Sequence, residues 1–447
     1  MTTPICDFVR AYSDKKSLRL HMPGHKGVNS VMGVEALDIT EIEGADCLYC
    51  ADGIIAESQA NAGRLFGAHT FYSTEGSSLC IRAMLLLAVR RAAELGIKPL
   101  IMAARNAHRT FLSAAALLDL DLLWIEREQN EGYLCCIPSA TEIDELLAAA
   151  VQKPVAVYLT SPDYLGNVCD IGAVADVCHK HGVMLLVDNA HGAYLKFLQE
   201  PCHPIDMGAD MCCDSAHKTL YALTGTAYLH ISENAPRSLV AGAPSAMLAF
   251  GSTSPSYLLL QSLDALNVLL GGEYRERLAN VATEVAACKK RLSEAGYTVI
   301  GSEPLKLTIA PKSYGYEGVE LASLLLQNDV VCEFADRDYT VLMFTPEISS
   351  GQIQALGDIL CSIPKLASIL QAAPSIPHCE RVISPREALF AASELLPVEN
   401  CIGRILAEPS VSCPPAVPIL VCGERITIEA ARCFEYYGVK SCFVVKE

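Results

Sequence analysis

The sequence predicts an α/β protein: a large domain on a mostly parallel sheet, followed by a smaller α/β domain toward the C-terminus. Three observations lead there. From about residue 65 to 231 helical patterns alternate with short β-rich runs. Within that span residues 155–187 read as strand, helix, strand, which implies a parallel sheet with a right-handed crossover. After Gly271-Gly272 the texture changes to one long amphipathic helix followed by short strands.

The elements follow in chain order. Ser73-Thr74-Glu75-Gly76-Ser77-Ser78 leads into a helix with Ile81, Met84, Leu85 and Ala88 on one face. Strand patterns stand at 99–103 and 122–125. The unit noted above has a strand over 155–159, a loop over 161–168, and Asp170 as the cap of a helix. Ile171, Val174, Ala175 and Cys178 recur at helical spacing, Gly182 ends the helix, and a buried-strand pattern fills 183–187. Further strands are expected at 211–213 and 226–231. Beyond the paired glycines, Leu278, Val281, Ala282, Val285 and Leu292 form the stripe of a helix that Gly296 closes. Strands over 305–309 and 340–344 flank a helix around 321–326, and a proline-bearing stretch at 372–378 precedes a final segment. The expected division is an N-terminal segment 1–45, a large domain 46–270, a small domain 271–371 and a C-terminal segment 372–447.

Composition excludes several classes. With 447 residues the chain can bury a deep core, and although 51% of it is apolar no run approaches the roughly 18 residues that span a bilayer. The opening MTTPICDFVRAYSDKK has no apolar signal core, so a cytoplasmic protein is expected. The 20 cysteines are scattered and are read as reduced thiols used as small core residues. Cys47-x-x-Cys50 lacks the second pair or matching histidines that zinc requires, so no metal is expected. A net charge of −17 argues against a phosphate-backbone partner, which demands clustered Lys and Arg.

Open parallel sheets bind ligands beyond the carboxyl ends of their strands, and three features fall at such places. Asp188 closes the strand over 183–187 and could be a helix cap, a metal ligand or the partner of a heterocyclic cation. Lys218, in Ser215-Ala216-His217-Lys218, follows the strand at 211–213 and could equally be solvated. The Gly76-Ser77-Ser78 helix start is a natural phosphate cradle, although serine also caps helices for purely structural reasons. His108, just after the strand at 99–103, offers a flat ring. Together these are the groups a pyridoxal phosphate site needs: an amine, a carboxylate for the pyridine nitrogen, a phosphate cradle and a stacking partner.

At this point the sequence resembles a known family, the Orn/Lys/Arg decarboxylases of pyridoxal-phosphate fold type I, in their short bacterial branch. The resemblance runs along nearly the whole chain: Leu20-His21-Met22-Pro23-Gly24-His25-Lys26-Gly27, Asp38-Ile39-Thr40-Glu41, Gly76-Ser77-Ser78, Arg105-Asn106-x-His108, Asp188-x-Ala190-His191-Gly192, Ser215-x-His217-Lys218 and Ser252-Thr253-Ser254-Pro255-Ser256-Tyr257. Ser384-Pro385-Arg386-Glu387-Ala388 and Gly403-Arg404-Ile405 are similar to the family's last domain. The resemblance implies that Lys218 carries the cofactor as a Schiff base and handles the proton at the substrate α-carbon. It further implies that Asp188 pairs with the pyridinium nitrogen, His108 stacks on the ring and His191 lies near the phenolic oxygen. Ser77, Ser78, Ser215 and His217 would bind the phosphate, and Thr253 would reach the cofactor of a neighbouring subunit in a homodimer or dimer of dimers. The activity implied is decarboxylation of arginine, lysine or ornithine, feeding polyamine synthesis.

Two departures stand out. Asn189 occupies a position where many relatives carry Glu, and Arg109-Thr110 replace a Lys-Ser pair after the stacking histidine. The amino-terminal wing of the large inducible decarboxylases has no counterpart here, which puts their ring assemblies in doubt. A buried distal amine or guanidinium needs a carboxylate. The candidates are Glu333, favoured because the family has an acid in the comparable small-domain strand, then Asp163 and Glu75. Another fold-type-I reaction, such as transamination or elimination, and a catalytically silent homologue are the alternatives.

Overall fold

Six strand patterns expected from the sequence, with one further strand, form a seven-stranded sheet in the computed structural model, which describes residues 1–126, 132–408 and 415–447. The strands are β1 (Ala68–Ser73), β2 (Leu100–Ala104), β3 (Asp121–Ile125), β4 (Ala156–Thr160), β5 (Met184–Asp188), β6 (Met211–Asp214) and β7 (Ala227–Ser232). Their order is β1-β7-β6-β5-β4-β2-β3. β2 pairs in parallel with β3 and β5 with β6, whereas β7 runs antiparallel to both β6 and β1. β2 to β7 each lie within a residue or so of their sequence-based positions, and β1 is a strand that the mixed run Ala-His-Thr-Phe-Tyr-Ser did not reveal.

By contacts the chain divides into two units: Met1–Pro99, Val155–Val157 and Ile171–Glu276 in one, Leu100–Pro154, Tyr158–Asp170 and Arg277–Glu447 in the other. This division passes through β4 and has its last boundary between Glu276 and Arg277. In the first unit the helix Gly76–Glu94 buries Leu79, Cys80, Ala83, Met84 and Leu87. The helix Ile171–Lys180 buries Ile171, Val174, Ala175 and Cys178, the four residues whose spacing predicts it. Gly182, at φ +62°, turns the chain into β5, with the Val183 N–H closing back on the Cys178 carbonyl at 2.9 Å. A left-handed residue at a helix end is a place glycine occupies without a Cβ penalty.

The second unit holds an antiparallel sheet of order β10-β11-β9-β8, with β8 (Thr298–Ile300), β9 (Lys306–Ala310), β10 (Phe334–Ala335) and β11 (Thr340–Met343). The expected strands at 305–309 and 340–344 are β9 and β11, and the expected helix is Gly318–Leu326. Past residue 372 a two-stranded sheet, β12 (Ser393–Pro397) with β13 (Ser441–Val445), and the helix Ile428–Tyr436 surround a core that includes Leu406, Ile419, Phe434 and Val444. Among the described residues no helix is long and apolar enough to cross a membrane.

Candidate active site

In the first unit, β1 and β6 both run antiparallel to β7, and β5 is parallel to β6, so all three deliver their carboxyl ends to the same edge. Asp188 is the last residue of β5, and its register partner is Cys213 on β6. One residue past β6 stands Ser215, then the single turn Ala216–Thr219 that carries His217 and Lys218. Beyond β1 the 19-residue helix Gly76–Glu94 begins with Gly76 at φ +70°, its N–H on the Gly225 carbonyl at 2.7 Å.

Two pairs of side chains meet there. Lys218 Nζ lies 3.0 Å from His191 Nε2. The Ser215 hydroxyl donates to Ser77 Oγ at 2.9 Å, joining the β6 end to the first turn of the long helix, where the dipole favours an anion. His217 lies with Nδ1 2.9 Å from the Thr226 carbonyl, and burial pulls its imidazole below the usual range. Asp188 is 3% exposed; its Oδ1 accepts the Ala190 N–H at 3.1 Å and faces Cys213 Sγ at 3.6 Å. Burial pushes that thiol well above its ordinary value, with Asp188 adding to the effect, so it meets the carboxylate as a neutral donor.

These residues suit pyridoxal phosphate. Serine hydroxyls at a helix start accommodate a phosphate monoester. A carboxylate buried at a strand end suits a protonated pyridine, and an amine set against an imidazole suits the aldehyde-bearing side. Ser78 lies in the same first turn as Ser77. Thr253 is exposed, and the neighbouring Ser252 N–H donates to Glu75 Oε1 at 2.6 Å, so the Glu75 carboxylate is engaged in holding that loop.

The remaining candidates belong to the second unit. His108 is the N-cap of the helix Arg109–Leu117, its Nδ1 accepting the Thr110 N–H at 3.1 Å. Asp163 is fully buried, and burial raises its carboxyl; it accepts from the N–H groups of Leu165 and Asn167 and from the Asn167 amide at 2.8–2.9 Å. Glu333 is exposed just before β10 and accepts the Tyr164 hydroxyl at 3.0 Å.

Sequence reasoning missed a buried hub beneath the lysine turn. Asp214 Oδ2 sits 3.0 Å from His203 Nε2 and 3.2 Å from His230 Nε2, and Asn189 donates to its Oδ1 at 2.6 Å. Burial alone would raise this carboxyl, but the two histidines hold it well below the usual carboxylate range. Asn189 therefore ties the residue after Asp188 to the residue before Ser215. Its place beside Asp188 was visible in the sequence, and its partner was not.

Comparison with known proteins gives the class first. The Francisella novicida lysine decarboxylase structure superposes with a TM-score of 0.80 at 15% identity, covering 99% of this chain and 81% of that one. Lysine decarboxylase A from Pseudomonas aeruginosa gives 0.80 at 20% identity, covering 99% and 80%. The fold is thus that of the pyridoxal-phosphate fold type I enzymes. The family model for the Orn/Lys/Arg decarboxylase major domain matches residues 3–300, and that for the C-terminal domain matches 372–444. Curated arginine decarboxylases from Bacillus subtilis (29% identical, 96% of this chain and 92% of theirs) and Halalkalibacterium halodurans (30%, 95% and 91%) are similar along almost the whole length. The chain belongs to the Orn/Lys/Arg decarboxylase family, pyridoxal-phosphate-dependent amino-acid decarboxylases.

Proposed function

We propose that this chain decarboxylates a basic amino acid, with arginine the first substrate to test, and that Lys218, Asp188 and His191 carry the reaction. The observation that supports it most is the Lys218–His191 contact of 3.0 Å, on a turn that leaves the strand next to the one closed by Asp188. Lys218 Nζ would hold the cofactor between turnovers and, when free of it, would with His191 beside it deliver a proton to the substrate α-carbon. Asp188 keeps the proton on the pyridine nitrogen. Ser77, Ser78, Ser215 and His217 would bind the phosphate, and His108 is the ring that the family resemblance assigns to stacking. When bound, pyridoxal phosphate supplies the electron sink for the charge left at the α-carbon as carbon dioxide departs.

For the distal cation Glu333 is favoured, because it is oriented by the Tyr164 hydroxyl yet exposed. Asp163 has its oxygens committed to its own loop, and Glu75 to Ser252. A planar guanidinium would pair with a carboxylate through two bonds. Arginine comes first because the B. subtilis and H. halodurans relatives are both named arginine decarboxylases. The amine product would feed polyamine synthesis. The working assembly in this reading is a homodimer or dimer of dimers with shared sites. Exposed Thr253 suits it, as does the run of exposed Leu18, Leu20, Met22, Val31 and Met32 on the N-terminal segment. A reducing cytoplasm suits the many buried thiols.

The test is a panel of arginine, lysine and ornithine, with amine products identified and carbon dioxide measured against keto acid. Amine and carbon dioxide support the proposal, while keto acid would assign the site to transamination. Lys218→Ala should remove the violet-edge absorbance of the cofactor-saturated protein, and absence of that band in the unmutated protein overturns the assignment.

A further inference from the structure

The helix Arg109–Leu117 begins directly after His108, yet both of its ends are capped from the C-terminal domain. The Arg109 N–H donates to the Ala416 carbonyl at 2.8 Å. At the other end Arg386 Nη1 donates to the carbonyls of Ala116 and Leu117 at 3.3 and 3.0 Å. These are the groups a helix leaves without intrahelical partners. Upstream, Arg105 is 3% exposed and grips Glu424 through two bonds, Nη1 to Oε1 at 2.7 Å and Nη2 to Oε2 at 3.2 Å, across 319 residues of sequence. Glu424 is itself fixed by the Val421 N–H at 2.9 Å, and the Arg105 guanidinium lies 5.1 Å from the Trp124 ring centroid. The C-terminal domain thus holds the chain three residues before His108 and one residue after it. Because His108 caps the helix with its own Nδ1, the plane of its ring follows the helix start.

We propose that the C-terminal domain is a positioning element for His108, with Glu424 acting through Arg105 and Arg386 through the helix. This rests on the reading of His108 as the ring that lies against the cofactor. A pair that only added stability would influence cofactor binding equally with or without that imidazole. A positioning pair acts only while the imidazole is present. The two cases separate in a double-mutant cycle.

The experiment takes the full chain, stripped of and titrated with pyridoxal phosphate, carrying Arg386→Ala or Glu424→Gln in the His108 and His108→Ala backgrounds. Arg386 is 44% exposed, so its truncation leaves the core intact should the buried Glu424 variant fail to fold. Diethyl pyrocarbonate labelling of His108, read by peptide mass, gives a second measure that needs no cofactor. Expected are faster labelling of His108 and cofactor binding weakened roughly tenfold, the effect on binding vanishing in the His108→Ala background. Unchanged labelling in the folded variants, or equal weakening in both backgrounds, overturns the proposal. Faster labelling with cofactor affinity unchanged in every variant, His108→Ala included, keeps the clamp and removes the stacking role instead.

Discussion

Replacing Asp336 by Asn should stabilise the protein at neutral pH and flatten part of its pH profile. Asp336 follows β10, three residues from Glu333, and its Oδ1 accepts the N–H groups of Asp338 and Tyr339, both at 2.8 Å. Burial, helped by the Asp338 carboxylate, pushes its carboxyl from 3.8 up to about 6, against the opposing pull of those N–H groups and of Lys312. An acid with a higher pKa in the folded state binds more protons there than in the unfolded chain. Stability therefore falls as pH rises from 3.8 to about 6, and the penalty is full above that. A shift of about 2 units at about 1.4 kcal/mol each makes the penalty about 3 kcal/mol. Asn keeps the oxygen that receives both N–H groups and carries no charge to desolvate. Urea unfolding at successive pH values, followed by the fluorescence of the one tryptophan, Trp124, reports on the unit that holds Asp336. The difference in stability, Asp336→Asn minus unmutated, should climb by about 3 kcal/mol between about pH 4 and about pH 7. A difference that stays flat across that range would refute the reasoning.

Three further substitutions test other contacts. Asp214→Ala leaves two buried histidines and the Asn189 amide without their shared acceptor and should cost about 4 kcal/mol in urea unfolding at pH 7. Because the Asp214 carboxyl is depressed in the folded state, that difference should shrink in acid, as pH falls below the usual carboxylate range. Glu303→Ala removes the carboxylate 2.7 Å from the ammonium of Lys306, which is 1% exposed and also donates to the Asp163 carbonyl at 3.1 Å, and should lower stability by about 3–5 kcal/mol on chemical denaturation. Gly423→Ala sets a Cβ 2.4 Å from the Ile383 carbonyl oxygen at φ +92° and should lower the melting temperature, for a loss of about 2 kcal/mol.

Much of the scaffold was legible because burial writes itself into spacing. Ile171, Val174, Ala175 and Cys178 marked a helix, the run at 183–187 marked a strand buried on both faces, and Gly182 and Gly296 marked helix ends. Strand direction leaves no such trace, so the antiparallel β7 and the antiparallel pairing of β12 with β13 came only from the structure. Of the site, the residues at strand ends stood out because topology places ligands there. The Arg105–Glu424 pair and the Asp214 hub did not, since their partners meet through the fold across 319 and up to 25 residues. The structure engages Asp163 and Glu75 elsewhere and leaves Glu333 oriented by Tyr164, a distinction that composition and spacing do not carry.

The register of β5 on β6 has a consequence for how this enzyme can vary. Asp188 faces Cys213 across adjacent parallel strands, so the spacing between the acid's strand and the one leading to the amine is the inter-strand distance of a sheet, about 4.8 Å. The length of the connection between them, residues 189–210, does not set it. Lengthening or rewriting the outer part of that connection should leave the frame undisturbed, whereas a one-residue slip between the two strands would turn the acid to the opposite face.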